Sequence, residues 1–324
     1  MASLTSATRL RGRTRAARPA ARAGATGGTV RPQRRAGVLL LLGPFFVLFA
    51  LTYLAPMAYA LWLSFFREKF EGVGWEGPQR VFAGFHNYTR ALTDTDFLQG
   101  TGRVLLYGLV YVPVLIALAA TFALLLDSAL TAARRFFQTV LFLPHIVPGL
   151  IAAIVWVYLY TPGLSPVIDA LDSAGVHVDF LNGGGVLFSL VNIAVWQALG
   201  FNMVLIYVAL QAIPRNTVEA ARIDGAGEIR TAFSVKLPQV FPAVMVATLF
   251  TIIGSLQLFT EPQIVQSSGN SSVTGSWTPN MLAYSAAFES NDYHYAATIS
   301  VLIALLAGVL SFVVTTLANR RNAR

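Results

Sequence analysis

The sequence lacks cysteine and carries little charge. Of its 324 residues, 12% are Asp, Glu, Lys or Arg and 55% are hydrophobic, whereas roughly 25% of the residues in an average soluble domain are charged. The absence of cysteine excludes disulfides, thiolate catalysis and Cys-type metal sites. This composition predicts a polytopic membrane protein.

Motifs for nucleotide or metal binding are also missing. The phosphate-binding pattern GxxxxGK[ST] needs a glycine before its lysine, and neither of the two lysines, Lys69 and Lys236, follows one. We therefore expect no catalytic residue, no metal site and no cofactor in this chain, so any ATP-Mg must be bound by another protein. The four histidines are scattered: His86, His145, His177 and His294.

Six apolar segments come close to the roughly 20 residues that a helix needs to cross a bilayer. We therefore predict an all-α polytopic membrane protein with six transmembrane helices. An Ala58-Tyr59-Ala60 step resembles a signal-peptidase site, but the apolar run around it is longer than a signal core, so we expect an uncleaved first span. The six segments are approximately 38–65, 104–126, 138–160, 187–210, 243–264 and 296–318.

Basic residues are distributed unevenly between the predicted loops. If the amino terminus is cytoplasmic, segments 1–36, 127–137, 211–242 and 319–324 are cytoplasmic and hold 18 of the 23 Lys and Arg residues. This positive-inside pattern predicts that both termini are cytoplasmic. Nine of these residues lie before residue 36, in a basic tail that we expect to be disordered and to contact anionic lipid, not nucleic acid.

The predicted spans hold almost no charge near mid-depth, and Asp127 marks the end of the second. Ion-coupled carriers usually have an ionisable group or related broken helices there, and the sequence shows neither. The later spans contain neutral amides, hydroxyls and aromatic rings, which suit a sugar because amides pair with hydroxyls and rings cover apolar sugar faces. Each could equally serve helix–helix packing alone. The candidate pathway residues are Asn192, Trp196, Gln197, Asn202, Ser255, Gln257 and Phe259.

The most orderly polar segment is EAARIDGAGEIRTAFSVKLPQVFP, residues 219–242, between the fourth and fifth predicted spans. Pro214 disfavours continuation of span four. Asn216 is predicted to cap a new helix over 217–224, with Glu219 reaching back to the cap amide.

This helix is predicted to end at Gly225 in a left-handed conformation. A second helix over 226–236 is predicted to stop at Leu237-Pro238, before span five. The element would either dock into a groove on a partner or lie as an interfacial helix among lipid headgroups. Its small residues are Ala220, Ala221, Gly225 and Ala226.

The spacing in this segment resembles the EAA motif of permease subunits of ABC-type importers. Glu219-Ala220-Ala221 is followed after three residues by Gly225 and after nine more by Val235-Lys236-Leu237-Pro238, with valine in place of the usual isoleucine. Three other segments resemble those of sugar-importer permeases, the first of them typical of the MalF-like first permease: FAGFHNYTRALTD (82–94), RFFQTVLFLPHIVP (135–148) and SLQLFTEPQIV (255–265).

The resemblance implies a type I ABC importer permease fold. It implies a six-helix permease domain over 37–319 that contains the EAA loop 211–242, flanked by the tail 1–36 and a C-terminal piece 320–324. In that family the loop is a coupling helix seated on the ATPase. The ATPase-coupling residues would be Glu219, Ala220, Ala221, Asp224, Gly225, Ala226, Leu237 and Pro238.

The implied function is transport of a sugar, with a di- or oligosaccharide favoured, across the cell (inner, cytoplasmic) membrane. The chain would be no enzyme but half of a pathway, with a second permease, an ATPase dimer and an extracytoplasmic sugar-binding protein touching outer loops 67–102 and 265–295. Other cargoes, such as glycerol phosphate, phosphate, polyamine or amino acid, stay open as alternatives. So do two other classes, a secondary carrier or channel and a membrane-anchored scaffold.

Overall fold

The computed structural model describes residues 32–70, 78–128, 131, 133–270 and 272–322. The predicted basic tail lies outside the described residues as far as residue 31, and so do the last two residues of the predicted C-terminal piece. The helices are α1 (Pro32–Phe49), α2 (Ala55–Leu63), α3 (His86–Thr93), α4 (Thr95–Asp127), α5 (Arg134–Ile146), α6 (Gly149–Tyr160), α7 (Pro166–Ser173), α8 (Gly185–Gln211), α9 (Arg215–Ile223), α10 (Glu228–Thr231), α11 (Leu237–Leu256), α12 (Thr260–Ser267), α13 (Pro279–Phe288) and α14 (Tyr293–Asn322).

The described chain divides into two units, one ending at Leu54 and the other running from Ala55 onward. The first contains α1, with Pro44 inside it, and a π-helical turn over Ala50–Leu54. Its apolar side chains from residue 39 onward are largely exposed, as expected of a helix surface that faces lipid.

Five helical stretches are long and apolar enough to cross a membrane. The pair α5 and α6, bent by 96° at its break, adds a sixth when it is counted as one span. The described residues thus contain a helical stretch for each of the six predicted spans, and the largely helical fold is confirmed. The five are Leu39–Leu63, Thr95–Asp127, Gly185–Gln211, Glu228–Ser267 and Tyr293–Thr316.

A short hairpin, not predicted, follows the first span. Strands β1 (Phe66–Phe70) and β2 (Pro78–Phe82) pair antiparallel, with Phe66 opposite Phe82. The rings of these two residues meet edge to face at 5.5 Å between centroids. A cross-strand aromatic pair of this kind stabilises two-stranded ribbons, which are weak without it.

Helix α4 is longer than its predicted span of 104–126. It begins at Thr95, where the Asp94 carboxylate accepts a hydrogen bond from the Asp96 N–H at 2.9 Å and caps the helix. Its 33 residues span about 50 Å at 1.5 Å per residue. Since the hydrocarbon layer is about 30 Å thick, several turns of α4 project beyond it.

The third span is not one straight helix. Val147 is extended (φ −69°, ψ 126°) between α5 and α6. The cause is Pro148, because proline has no N–H and disfavours helical geometry in the residue before it. The break frees the Val147 carbonyl, and the side chain of Gln197 on α8 donates a hydrogen bond to it at 2.8 Å.

The core forms where α4 packs against α8 and α11. Small residues on α4, Ala119 and Ala123, are fully buried against Met203 and Ile206 of α8. Near Met203 on α8, a Cβ at Gly200 would run into the Leu141 carbonyl of α5. Small residues of this kind let helix backbones approach closely in membrane proteins.

Candidate functional site

The loop that joins α8 to α11 begins with Pro214 in extended conformation (φ −60°, ψ 133°). The predicted cap at Asn216 is wrong, because α9 starts at Arg215 and Pro214 occupies the N-cap position without a side-chain hydrogen bond. Proline fixes φ near −65°, so the helix can begin directly after it. Glu219 lies inside α9 and is exposed, and the predicted capping box is absent from this loop.

The turn after α9 agrees with the prediction. Gly225 has a φ of +81°, in the left-handed region. Its N–H donates to the Arg222 carbonyl at 3.0 Å, and the Ala226 N–H donates to the Ala221 carbonyl at 2.9 Å. These two bonds define a Schellman motif, which closes a helix and favours glycine at its left-handed position.

After this turn the chain is helical from Glu228 to Leu256. α10 leads into a π-helical turn over Ala232–Lys236, and α11 follows without interruption. The predicted stop at Leu237-Pro238 is therefore wrong. A proline ring clashes with the carbonyl four residues before it in a regular α-helix. The wider π turn directly before Pro238 relieves that clash, so the helix passes through.

Large apolar side chains project from the tip of the loop. Ile223, the last residue of α9, is 87% exposed, Ile229 on α10 is 77% exposed, and Phe233 is exposed beside them. Sequence reasoning centred on the EAA residues missed this apolar tip, although isoleucines in an otherwise polar segment were its signal. Contiguous exposed apolar side chains mark surfaces that bind proteins or membranes.

At the base of the loop lies a partly buried ionic network that was also missed. The Lys236 ammonium lies 2.6 Å from one carboxylate oxygen of Asp127, at the end of α4. The Gln211 side-chain amide, at the end of α8, donates to the other oxygen at 2.6 Å. The side chains of Asp127 and Lys236 are 13% and 10% exposed.

Two of the predicted pathway residues lie in an aromatic cluster. The Asn192 amide donates to the Tyr160 hydroxyl at 2.6 Å, and Trp196 meets Trp156 edge to face at 5.7 Å between ring centroids. Asn192, Tyr160 and Trp156 line a largely apolar cavity of about 760 Å³ between α4, α6, α7 and α8. An amide, a hydroxyl and aromatic faces at one cavity match the chemistry expected for a hydroxylated ligand.

The other polar pathway candidates on α8 and α11 bond to backbone. Gln197 supports the break between α5 and α6, as described above. Asn202 donates to the Ala198 carbonyl one turn earlier, and Ser255 donates to the Ile252 carbonyl. The structure therefore does not bring the predicted set together at one place.

Gln257 and Phe259 lie at a second break, between α11 and α12. The exposed Gln257 is the C-cap residue directly after α11, and the ring of Phe259 lies 5.5 Å from that of Tyr284. The Asn280 amide donates to the Leu256 carbonyl at 3.0 Å and satisfies a backbone group that the break frees. Non-helical backbone is tolerated at membrane depth where it is buried in protein or lines an aqueous cavity.

A polar cavity of about 350 Å³ lies where β1, α3 and the α13–α14 connection meet. Arg90 donates to Asp292 at 2.7 Å, and its guanidinium lies 3.9 Å from the ring centroid of Tyr295. Arg67 and His86 line the same cavity. The cavity therefore joins the first and last of the predicted outer loops, and both cationic and anionic side chains line it, since Glu68 and Asp292 are part of its wall.

The family model described as "Binding-protein-dependent transport system inner membrane component" matches residues 114–324. The sn-glycerol-3-phosphate transport system permease protein UgpA of Escherichia coli O6:K15:H31 (strain 536 / UPEC) is 29% identical over 277 residues, 85% of this chain and 91% of that protein. UgpA of Yersinia pseudotuberculosis serotype I (strain IP32953) is 29% identical over 270 residues, 82% and 89% of the two chains.

A solved structure shares the fold. It is the crystal structure of a bacterial ABC transporter involved in the import of the acidic polysaccharide alginate, and the TM-score is 0.74 at 18% sequence identity. The match covers 89% of this chain and 96% of that chain. The same transporter in complex with an alginate pentasaccharide-bound periplasmic protein matches equally well.

Proposed function

Since the chain belongs to the family of binding-protein-dependent transport system inner membrane components, we propose that it forms half of the translocation pathway of an ATP-driven sugar importer. As a member of this family it is a multi-pass inner-membrane permease of the ABC-importer type, a transport component and not an enzyme. The resemblance to importer permeases and the type I permease fold are confirmed. Members of the family act together with a binding protein.

The observation that carries the coupling role is the apolar tip of loop 211–242. Ile223 and Ile229 are 87% and 77% exposed, and each lies between two charged residues in the sequence. Such side chains are stabilised when a protein partner covers them, with polar residues at the rim of the contact. A cytoplasmic ATPase dimer is the proposed partner, with Glu219 and Asp224 at the rim and Gly225 shaping the turn.

Under this proposal ATP-Mg is bound by the ATPase subunits, and this chain contributes no cofactor site. Among the described residues no group of three or more His, Asp or Glu side chains is placed to hold a metal ion. A second permease would complete the pathway within the lipid bilayer, and no nucleic acid is involved. Both termini are proposed to be cytoplasmic, in keeping with the distribution of Lys and Arg.

The cargo assignment is supported by the cavity at Asn192, Tyr160 and Trp156. Its volume of about 760 Å³ lies within the roughly 300–1,000 Å³ that is typical of small-molecule sites. Aromatic rings stack on the apolar faces of sugar rings, and the Asn192–Tyr160 pair offers a donor and an acceptor for hydroxyls. We therefore propose that one or two rings of a di- or oligosaccharide occupy this cavity during passage.

Glycerol phosphate is a second candidate cargo, because the relatives UgpA are named as permeases for sn-glycerol-3-phosphate. A phosphate group is recognised by Arg, Lys or helix N-termini. The residues that line the aromatic cavity include no Lys or Arg. This difference favours a neutral sugar.

The polar cavity at Arg67, His86 and Arg90 is the proposed contact for the binding protein. It joins predicted outer loops 67–102 and 265–295, and Arg67, which lines it together with Glu68 and the Arg90–Asp292 pair, would attract an acidic residue on a lobe of a binding protein. A charge at the rim of such an interface acts mainly on the association rate. Arg67→Glu is therefore expected to slow binding-protein association with the assembled importer and to make it less sensitive to salt.

The decisive experiment is purification of the tagged chain from its own membranes, followed by reconstitution into liposomes. Mass spectrometry is expected to find an ATPase and a second permease with it. With the cognate binding protein and internal ATP, uptake of labelled mono-, di- and oligosaccharides is compared with uptake of glycerol 3-phosphate. Uptake of glycerol 3-phosphate alone would overturn the sugar assignment, and recovery without an ATPase would overturn the importer assignment.

A further inference from the structure

Three helices meet at the base of loop 211–242. Asp127 ends α4, Gln211 ends α8, and Lys236 closes the π turn before α11. Both carboxylate oxygens of Asp127 are occupied, one by the Lys236 ammonium and the other by the Gln211 amide, each at 2.6 Å. The carboxylate is therefore held in one orientation by Gln211, the first residue of the loop, and by Lys236, which lies close to its end.

The burial of this pair distinguishes it from an ordinary surface ion pair. With side chains 13% and 10% exposed, Asp127 and Lys236 have lost most of their water. Exposed pairs contribute little because solvent screens them, whereas removing one member of a buried pair leaves an uncompensated charge. A helix that carries one member of such a pair therefore resists moving away from the helix that carries the other.

A continuous helix connects the tip of the loop to this contact. The helix from Glu228 through Leu256 is continuous, so a displacement of the tip at Ile229 is passed along it into α11. The π turn over Ala232–Lys236 is where this helix departs from regular geometry, and π turns often lie at functional sites. Lys236, at the end of that turn, is fixed to α4 through Asp127.

We propose that Asp127 and Lys236 are positioning residues that transmit movement of loop 211–242 to α4, so that α4, α8 and α11 move together when the ATPase subunits close. This inference rests on the proposed coupling role of the loop. It adds a contact that lies outside the EAA residues, between two residues 109 positions apart in the sequence. Coupling between two sites requires an element that has two arrangements, and the equilibrium between these arrangements must respond to both sites.

The chain offers a matched control in the same loop. Arg222 and Glu228 form an ion pair of similar length, 2.7 Å, but their side chains are 48% and 43% exposed. This pair joins α9 to α10 and does not bridge to α4. Neutralising it changes the charge of the loop without cutting its link to the spans.

The test uses the whole importer, purified and reconstituted with its binding protein. The variants are Asp127→Asn, Lys236→Met, the two combined, and the charge swap Asp127→Lys with Lys236→Asp; Glu228→Gln is the control. The readouts are the yield of assembled complex and the number of solute molecules imported per ATP hydrolysed. Solute imported per ATP is expected to fall at least about fivefold in both single variants and to stay unchanged in the control.

The combined variant separates positioning from stability. It leaves no unpaired charge, so a purely structural pair predicts recovery of both yield and import per ATP. If the pair positions α4, the combined variant is expected to regain the yield of complex but not the import per ATP. The charge swap is then expected to regain both. Unchanged import per ATP in the single variants, or an equal loss in Glu228→Gln, would overturn the proposal.

A second readout does not depend on the identity of the cargo. The chain has no cysteine, so spin labels can be placed at exposed Asn216, outside the apolar tip, and at exposed Leu109 through one introduced cysteine at each position. Trapping the ATPase with ATP and vanadate is expected to change the distance between the two labels. The size of this change is expected to differ between wild type and Asp127→Asn. Equal changes overturn the inference even if the cargo proves not to be a sugar.

Discussion

Gly225→Ala tests the shape of loop 211–242 with little disturbance elsewhere. A Cβ at Gly225 would meet no heavy atom within 4 Å, so crowding plays no part and only the φ of +81° matters. Placing an L-residue in the left-handed region costs about 1–2 kcal/mol. Since about 1.4 kcal/mol corresponds to a tenfold change, the closed turn is expected to lose about fivefold to thirtyfold in its equilibrium constant.

The assay is amide hydrogen exchange at Ala226, whose N–H closes the turn on the Ala221 carbonyl. Exchange through local opening is expected to accelerate by the same factor, since it reports the population of the open turn. Gly227→Ala is the matched control, because Gly227 has an ordinary φ of −66° and a Cβ there also meets nothing within 4 Å. Equal exchange rates in the two variants would refute the argument.

Ile229→Asp places a charge in the apolar tip and is expected to reduce recovery of the ATPase in a pull-down at least about tenfold; undiminished recovery would refute that contact. Asn192→Ala removes the amide from the aromatic cavity and is expected to lower sugar uptake about fivefold at saturating binding protein, from a lost hydrogen bond of about 1 kcal/mol. Unchanged uptake across a sugar panel would leave Asn192 with a packing role only. Gly200→Ala drives a Cβ into the Leu141 carbonyl and is expected to destabilise the chain by about 1–3 kcal/mol, seen as earlier thermal unfolding in detergent. Gly102→Ala, whose Cβ meets nothing within 4 Å inside α4, should unfold no earlier than wild type, because alanine is favoured over glycine in a helix.

The spans and the turn at Gly225 could be predicted because their causes are local. A segment that crosses a bilayer must be apolar over about 20 residues, and that rule can be applied to one window of sequence at a time. A left-handed helix end favours glycine for a steric reason that involves its own backbone. The start of α9 was predicted two residues too late because Pro214, and not the side chain of Asn216, sets it.

The ionic network at the base of the loop could not be predicted in the same way. Asp127 looked like the end of an apolar segment, and Lys236 stood at an unspecified position within the motif. Their pairing depends on how α4 and α11 pack against each other. Packing depends on all of the assembled helices, so it cannot be predicted from a single segment of the sequence. The continuous helix through Pro238 was missed for a related reason, since the π turn that accommodates the proline has no simple sequence signal.

The amides of the spans show how the backbone limits which side chains are available to a ligand. Gln197 and Asn280 each donate to a carbonyl next to a helix break. A carbonyl left unpaired in the hydrocarbon layer costs several kcal/mol, so these two amides are committed to the fold. Asn192 donates to a side chain, the Tyr160 hydroxyl, and a sugar hydroxyl can take the place of either partner without freeing a backbone group. We therefore expect a hydroxylated cargo to exchange hydrogen-bond partners with Asn192 and the exposed Gln257, whereas Gln197 holds the third span in its bent shape.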